Sequence, residues 1–368
     1  MKRVCVISAY GYVKKNINYG SLFQYYALEM VLKKMGVASY WLRYELPDEK
    51  ITYTTAVKEI VKRVVYFNHF KKLNFLYRRW SEFVNNKLSL SSETYNDKTI
   101  NDSIPVADFY ITGSDQVWGG EVPANYLCFV PDQYPKISYA ASFGTSKISE
   151  KKRRTISPWI KKLDRVSVRE PSGVELCKEM GVEAMLVLDP TFLIEPENYP
   201  EKEVEEFKNK KFIFCYLLNL TDEECNLIKD LNALSKKHDE KIKFAVVNGN
   251  SYKYVPKDNR GYYAPDEWIW MYKNANGIVT NTFHGTVFSI MFHKQFVYYE
   301  QTGVTKNQNE RIISLLNLLG LKNRIVKERN TIELMLEERI DWRDVDRILN
   351  KEKEKSIDFL SEALKLLQ

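Results

Sequence analysis

"RVCVISAYGYVKKNINYGSLFQYYALEMVLKKMGVASYWLRY", residues 3–44, decides the fold. Its first eight residues hold the apolar run Val4–Ile7, short and rich in β-branched residues, as a buried strand requires. A polar loop follows, and from Gly20-Ser21 the apolar residues Leu22, Tyr25, Tyr26, Leu28 and Leu32 recur at helical spacing. Gly36 ends that helix, and "ASYWLRY" (38–44) is a second strand. Strand, helix, strand at this spacing is a βαβ unit, which implies a parallel sheet. The loop lacks GxGxxG, so it is no dinucleotide fingerprint. Asn18 and Gly20 mark a tight loop that lets another group approach the backbone, or a simple turn.

The pattern repeats down the chain. "DFYITGSDQVWGG" (108–120), "KISYAASFGTS" (136–146), "RVSVREPSGVELCKEMGV" (165–182) and "AMLVLDPTFLI" (184–194) each read as a strand delivering a polar loop at its carboxyl end. The charged, proline-bearing "EPENYPEKEVEEFKNK" (195–210) reads as a linker. A second α/β unit opens at "KFIFCYLLN" (211–219), continuing through a helix near 222–237 and the strand "KIKFAVVN". A helix after "APDEW", the strand "GIVT" (277–280), the strand "QFVYYE" and a helix over 308–319 complete it. The expected fold is α/β, two Rossmann-like domains facing a central cleft. Residues 1–195 form the first domain, 196–345 the second, and 346–368 an amphipathic helix that packs back on the first.

Composition sets outer bounds. The 368 residues are too many for one ordinary core. Fifty-five basic against 48 acidic residues give a net charge of +7, too diffuse for nucleic acid but suited to an anionic substrate. No apolar run reaches membrane-span length, and the opening "MKRVCVISAYG" reads as a strand rather than a signal peptide. Five scattered cysteines without a CxxC pair suggest a reduced, cytoplasmic protein.

Residues 51–90 differ in texture. "VKEIVKRVVYFNHFKKLNFLYRRWSEFVNNKL" (57–88) is helical, aromatic and basic, and reads as an insertion after the second strand. Either its aromatics face the core and its charges face water, or the element meets a membrane or a lipid-linked substrate. His69 within it has no partner at metal-ligand spacing.

"TNTFHGTVFSIMF" (280–292) passes from strand through a short loop into a helix. His284 thus falls at a strand's carboxyl end beside a helix N-terminus, where ligands gather and backbone N–H groups favour an anion. Capping the helix is the plainer role for it. His293, nine residues on, falls at the helix end and makes no zinc pair with His284, so no catalytic metal is expected.

In this order, "NYGSLFQYYAL", "TGSDQVW", "YAASFG", "SVREPSG", "LDPTF", "TNTFHGTVFS" and "ERIISLLNLLGL" resemble the polysaccharide pyruvyl transferase family over nearly the whole chain except 51–90. The resemblance implies a GT-B-like fold and transfer of pyruvate from phosphoenolpyruvate onto two sugar hydroxyls as a cyclic ketal. It also implies an acceptor side in the first domain and a donor side in the second, with no cofactor beyond the donor substrate. A galactose-type acceptor, lipid-linked in some cases, in surface or capsular polysaccharide synthesis is the expected partner. Many relatives carry Arg-x-His where Thr282 precedes Phe283-His284 here, so the resemblance implies that another arginine, Arg311 or Arg260, supplies the charge for the donor phosphate.

Chemistry then assigns expected roles. His284 serves as acid or phosphate contact, Asp115 as base (or as a turn residue), and Arg169 as a bidentate anion grip (or as a partner of Glu170 or Asp189). Asn281, Thr282, Gly285, Thr286 and Arg311 line the donor side. Asn18, Gly20, Ser142 and Gly144 line the acceptor side, with Tyr10, Tyr19 and Phe143 available to stack on sugars. Two rival readings share the fold: a nucleotide-sugar glycosyltransferase and a non-catalytic carbohydrate-binding protein.

Overall fold

The computed structural model describes residues 2–9, 17–46, 63–222, 224–247 and 251–367. In the first domain β1 (Arg3–Ile7), α1 (Tyr19–Lys34) and β2 (Ala38–Tyr44) form the expected βαβ unit. The helix α2 (Phe67–Lys87) then leads into β3 (Leu90–Tyr95), β4 (Phe109–Thr112) and β5 (Lys136–Ser138). These strands are all parallel, in the order β3-β2-β1-β4-β5. After helix α3 (Glu150–Ile160), the short pair β6 (Ser167–Val168) and β7 (Met185–Leu186) extends the sheet past β5 through isolated bridges, with α4 (Pro171–Glu179) between them.

The second domain repeats the plan. Its elements are β8 (Phe212–Tyr216), α5 (Glu224–His238), β9 (Lys241–Ala245), β10 (Arg260–Gly261), α6 (Pro265–Asn274), β11 (Gly277–Thr280), α7 (Phe283–Met291) and β12 (Phe296–Tyr298). Strand order is β10-β9-β8-β11-β12, again parallel. Each sheet therefore reverses direction beside its first strand, between β1 and β4 and between β8 and β11. The carboxyl ends at such a switch point are where an open α/β sheet leaves a crevice.

Helix α1 is buried on nearly every side, not along the one stripe the sequence suggested. A helix apolar all round lies inside a protein, and here both domains close around it. Tyr19 stacks on Trp268 of α6 at 4.7 Å, and its hydroxyl donates to the Tyr263 carbonyl at 2.6 Å. Phe23 meets Phe288 of α7 at 5.7 Å and Tyr199 of the linker at 5.7 Å. Gln24, fully buried, donates to Ser8 Oγ after β1 and accepts from the Ser114 amide after β4, so α1 also pins the first switch point.

Two further elements span the domains. Arg79 and His69 of α2 reach Glu267 and Tyr262 of the second domain. The residues 51–62 of the expected insertion lie outside the described part. After α8 (Asn309–Leu318), helix α9 (Trp342–Leu364) crosses back. Ser356 Oγ accepts from the Leu188 amide at 2.9 Å and Phe359 packs by Tyr139, while Asp346 pairs with His293 at 2.9 Å.

Some local readings need correction. Residues 184–194 are mostly not strand: only Met185–Leu186 pair, and Pro190–Leu193 form a 3₁₀ turn, because Pro190 cannot donate to a ladder. β3, "LSSETY", is an edge strand whose polar exposed middle masked it in the sequence.

Trp268 touches Tyr19, Phe23, Tyr216 and Phe288 at the domain junction. Trp268→Ala is expected to cost about 3–5 kcal/mol. Urea unfolding monitored in both domains should then show both transitions moving together; a shift confined to one domain would contradict the shared core.

Candidate active site

The loop after β4 runs Gly113-Ser114-Asp115, and Asp115 adopts a left-handed backbone (φ 65°). Aspartate tolerates this better than most side chains. The turn sends its carboxylate to Arg169 Nη2 at 2.9 Å. Arg169 leaves the end of β6 with its side chain wholly inaccessible, and its Nη1 donates to Asp189 Oδ2 at 2.8 Å. Its Nε lies 3.6 Å from Glu170 Oε2, too long to satisfy either atom. Both terminal nitrogens are thus committed to carboxylates.

Asp189 is the hub. Its Oδ1 caps the following turn, accepting from Thr191 N at 3.1 Å and Thr191 Oγ1 at 2.7 Å. Its Oδ2 accepts from Arg169 and from Ser114 Oγ at 3.0 Å, and lies 3.5 Å from His284 Nε2. Burial would raise the Asp189 carboxyl, but His284, Arg169 and the Thr191 hydrogen bond outweigh it and hold it well below the usual carboxylate range. Asp115 behaves alike: burial raises it, and Arg169, His284 and Arg311 together bring it below its ordinary value. Glu170 goes the other way, raised by burial that Arg169, Arg311, Ser142 and the Phe143 amide only partly offset.

His284 comes from the other domain. Thr282 caps α7, accepting from the Gly285 amide at 2.9 Å, and this fixes the turn that carries the imidazole. The ring lies directly over Gly20: a Cβ there would fall 2.0 Å from Nδ1, so only glycine lets α1 and α7 meet this closely. Among the described residues His284 Nε2 has no hydrogen-bond partner.

Arg311, on α8, completes the cluster. It is buried, and among the described residues no carboxylate pairs with it. Gln116, with its amide oxygen turned inward, accepts from both terminal nitrogens at 3.0 Å. Burial and the neighbouring Arg169 charge push Arg311 down to about 10, although Asp115 and Glu170 pull the other way. The ring of Phe283 carries both guanidiniums, Arg169 at 4.3 Å and Arg311 at 5.5 Å from its centroid. A cavity of about 90 Å³ opens there, walled by Arg169, Asp189, Phe283, Arg311 and Leu315. A larger groove of about 550 Å³ runs behind the linker along α9, but it holds none of these residues and its His293 and Lys353 are already paired with Asp346 and Glu195.

The structure therefore brings His284, Arg169, Asp115, Gly20 and Arg311 to one place. The other expected residues are held by local hydrogen bonds and close packing. Asn18 caps α1 at Ser21, and Ser142 Oγ accepts from the Gly144 amide at 3.0 Å. Gly144 has φ 70° and lies against Gln116. Asn281 clasps the Leu218 backbone at both its N–H and its carbonyl, holding β8 to β11. Thr286 Oγ1 donates to the Thr282 carbonyl, and Gly285 leaves room for the Thr280 hydroxyl. Arg260 lies away, beside His69 and Tyr262.

The stacking role given to Tyr19 and Phe143 is corrected: both are buried, Tyr19 on Trp268 and Phe143 on Trp118. Tyr10 lies outside the described residues. Asp189, Glu170, Gln116 and Phe283 are the site residues that sequence reasoning undervalued. Only the position of Asp189 and Glu170 at strand ends signalled them.

Twin Rossmann-like halves whose switch-point loops meet at the domain junction define a GT-B-type fold. Solved structures agree: UDP-GlcNAc 2-epimerase from Methanocaldococcus jannaschii (11% identity, 98% of this chain and 100% of that one, TM-score 0.56) and Arabidopsis thaliana UGT89C1 (11%, 100% and 100%, TM-score 0.54) share the fold. At such identity the likeness shows the fold alone. The family model for polysaccharide pyruvyl transferase matches residues 18–301, and the chain belongs to that family. Among curated proteins none matches the chain.

Asp189→Asn leaves Arg169 short of a counter-charge and is expected to cost about 3 kcal/mol. Because the folded Asp189 titrates below its unfolded value, that contribution is complete above about pH 4 and is lost as pH falls further. Thermal melts of wild type and variant should converge on acidification; a gap that widens would contradict the pairing.

Proposed function

We propose that the chain transfers pyruvate from phosphoenolpyruvate to two hydroxyls of a sugar, forming a cyclic ketal and releasing phosphate. The observation that carries this reading is Arg311: a buried cation without a carboxylate partner among the described residues, in the cluster whose Asp115 also feels the charge of His284. A buried charge short of its counter-ion is costly, and a bound anion relieves that cost. Arg311 presents a planar fork suited to a phosphate or carboxylate, whereas Arg169 is already taken up by Asp115 and Asp189. In this reading Arg311 supplies the charge that the missing arginine at Thr282 would have given. Arg169 sets the position of the cluster.

The chemistry runs in two stages. A proton added to the methylene carbon makes C2 electrophilic, and a sugar hydroxyl attacks it while losing its own proton. Phosphate then leaves, and a neighbouring hydroxyl closes the ketal, its proton ending on the phosphate. His284 is assigned the transfer to the methylene or to the departing phosphate, and Asp115 the hydroxyl proton. The acceptor, a galactose-type sugar of a surface or capsular polysaccharide, is assigned to the first-domain rim near Gly20, Ser142 and Gly144. The reading places the reaction in the cytoplasm, in keeping with free cysteines. No helix among the described residues is long and apolar enough to cross a membrane.

Arg311→Met is expected to melt no lower than wild type without ligand, yet to lose the rise in melting temperature given by phosphoenolpyruvate. It should also lose on the order of a hundredfold in phosphate release. His284→Asn should keep the melting shift and lose about 10²–10⁴-fold in release. A melting shift with nucleotide sugars and none with phosphoenolpyruvate would instead favour glycosyl transfer; a sugar-induced shift with neither donor would favour a binding protein.

A further inference from the structure

The helix α2 has two faces of different character. Its inner face buries Leu73, Leu76, Trp80, Phe83 and Val84, and Trp80 meets Tyr19 edge-on at 5.1 Å. With Arg79 on Glu267 and His69 on Tyr262, this face holds the helix to both domains. The outer face takes no part in that docking. On it Phe67 is 65% and Phe75 60% exposed, and just before the helix Val64 is 72% and Val65 65% exposed. Large apolar side chains left in water at such density mark a contact surface.

The same surface is cationic. Arg63, Lys71 and Arg78 are exposed on it against the single carboxylate of Glu82, while Lys72 turns to the Tyr262 ring of the second domain. Phe67, Lys71, Phe75 and Arg78 recur at spacings of three and four, so aromatic rings and cations share one stripe. Protruding apolar rings among long basic side chains match the boundary between acyl chains and anionic headgroups: the rings enter, and the cations reach phosphate. A second copy of this chain fits badly, because a two-fold contact would set these cations against each other with Glu82 as the one acidic side chain of the helix.

We propose that this outer face of α2, with Val64 and Val65 before it, seats the protein on an anionic phospholipid surface. The inner face of the helix, through Trp80 and Tyr19, leads to Gly20 and hence to His284. Seating the helix therefore sets the cleft close to the bilayer. The inference stands apart from the pyruvyl-transfer reading; only its corollary, an acceptor carried on a lipid, rests on that reading.

The test is flotation of the full chain with vesicles of phosphatidylcholine alone and of phosphatidylcholine with phosphatidylglycerol. The protein should float with the mixed vesicles, not with the neutral ones, and salt should release it. Lys71→Glu with Arg78→Glu should weaken binding by about fivefold or more per charge. Phe67→Ser with Phe75→Ser should weaken it too, with melting temperatures unchanged because all four side chains are exposed. Wild type that stays unbound, or variants that float like wild type, would overturn the proposal. So would a doubling of mass with concentration that Phe67→Ser with Phe75→Ser abolishes, which would give the face to a second copy.

Discussion

A guanidinium with no access to water is the constraint on which the rest of the site depends. Arg169 remains charged in that position only because Asp115 and Asp189 each give one carboxylate oxygen to a terminal nitrogen. These partners come from different strand ends, and Asp189 also faces His284 across the domain boundary. The pairing thus fixes the β4 turn, the end of β6 and the turn after β7 relative to one another. It sets the imidazole against the same hub. Disturb it and the switch-point loops lose their common anchor.

The cleft is framed by packing as much as by charge. Burial of α1 between both domains, with Tyr19 on Trp268 and Phe23 near Phe288, brings the helix N-terminus under His284. Gly20 is the notch that makes this approach sterically feasible. Helix α9 ties the opposite side, joining Leu188 and Tyr139 of the first domain to His293 of the second. The loops at the two switch points therefore meet, with His284 and Arg311 of the second domain set against Asp115, Arg169 and Asp189 of the first. The GT-B-type arrangement provides the room, and the family supplies the pyruvyl chemistry to which these residues are assigned.

Much of the architecture was legible because it is local. The βαβ period in residues 3–44, the strand-loop-helix at 277–292 and the order of polar loops at strand ends all follow from patterns within a few dozen residues. What escaped was long-range. Arg169 had plausible partners in Glu170 and Asp189, but Asp115, distant in sequence, reaches it only through the parallel sheet. The ring of Tyr19 read as a sugar platform because nothing nearby in sequence announces Trp268. Arg311 was recognisable as an arginine near the right place, yet its lack of a carboxylate partner among the described residues is a property of the folded surroundings alone. β3 was missed for a simpler reason: an edge strand with a polar middle carries no apolar alternation.

In the proposed reaction Arg311, not Arg169, receives the donor's charge. A crystal structure of the protein with phosphoenolpyruvate tests it most directly. The account predicts a phosphate or carboxylate on the Arg311 guanidinium, beside His284, with Arg169 still held by Asp115 and Asp189. An anion seated on Arg169 with those carboxylates displaced, or one lying outside the domain junction, would contradict it.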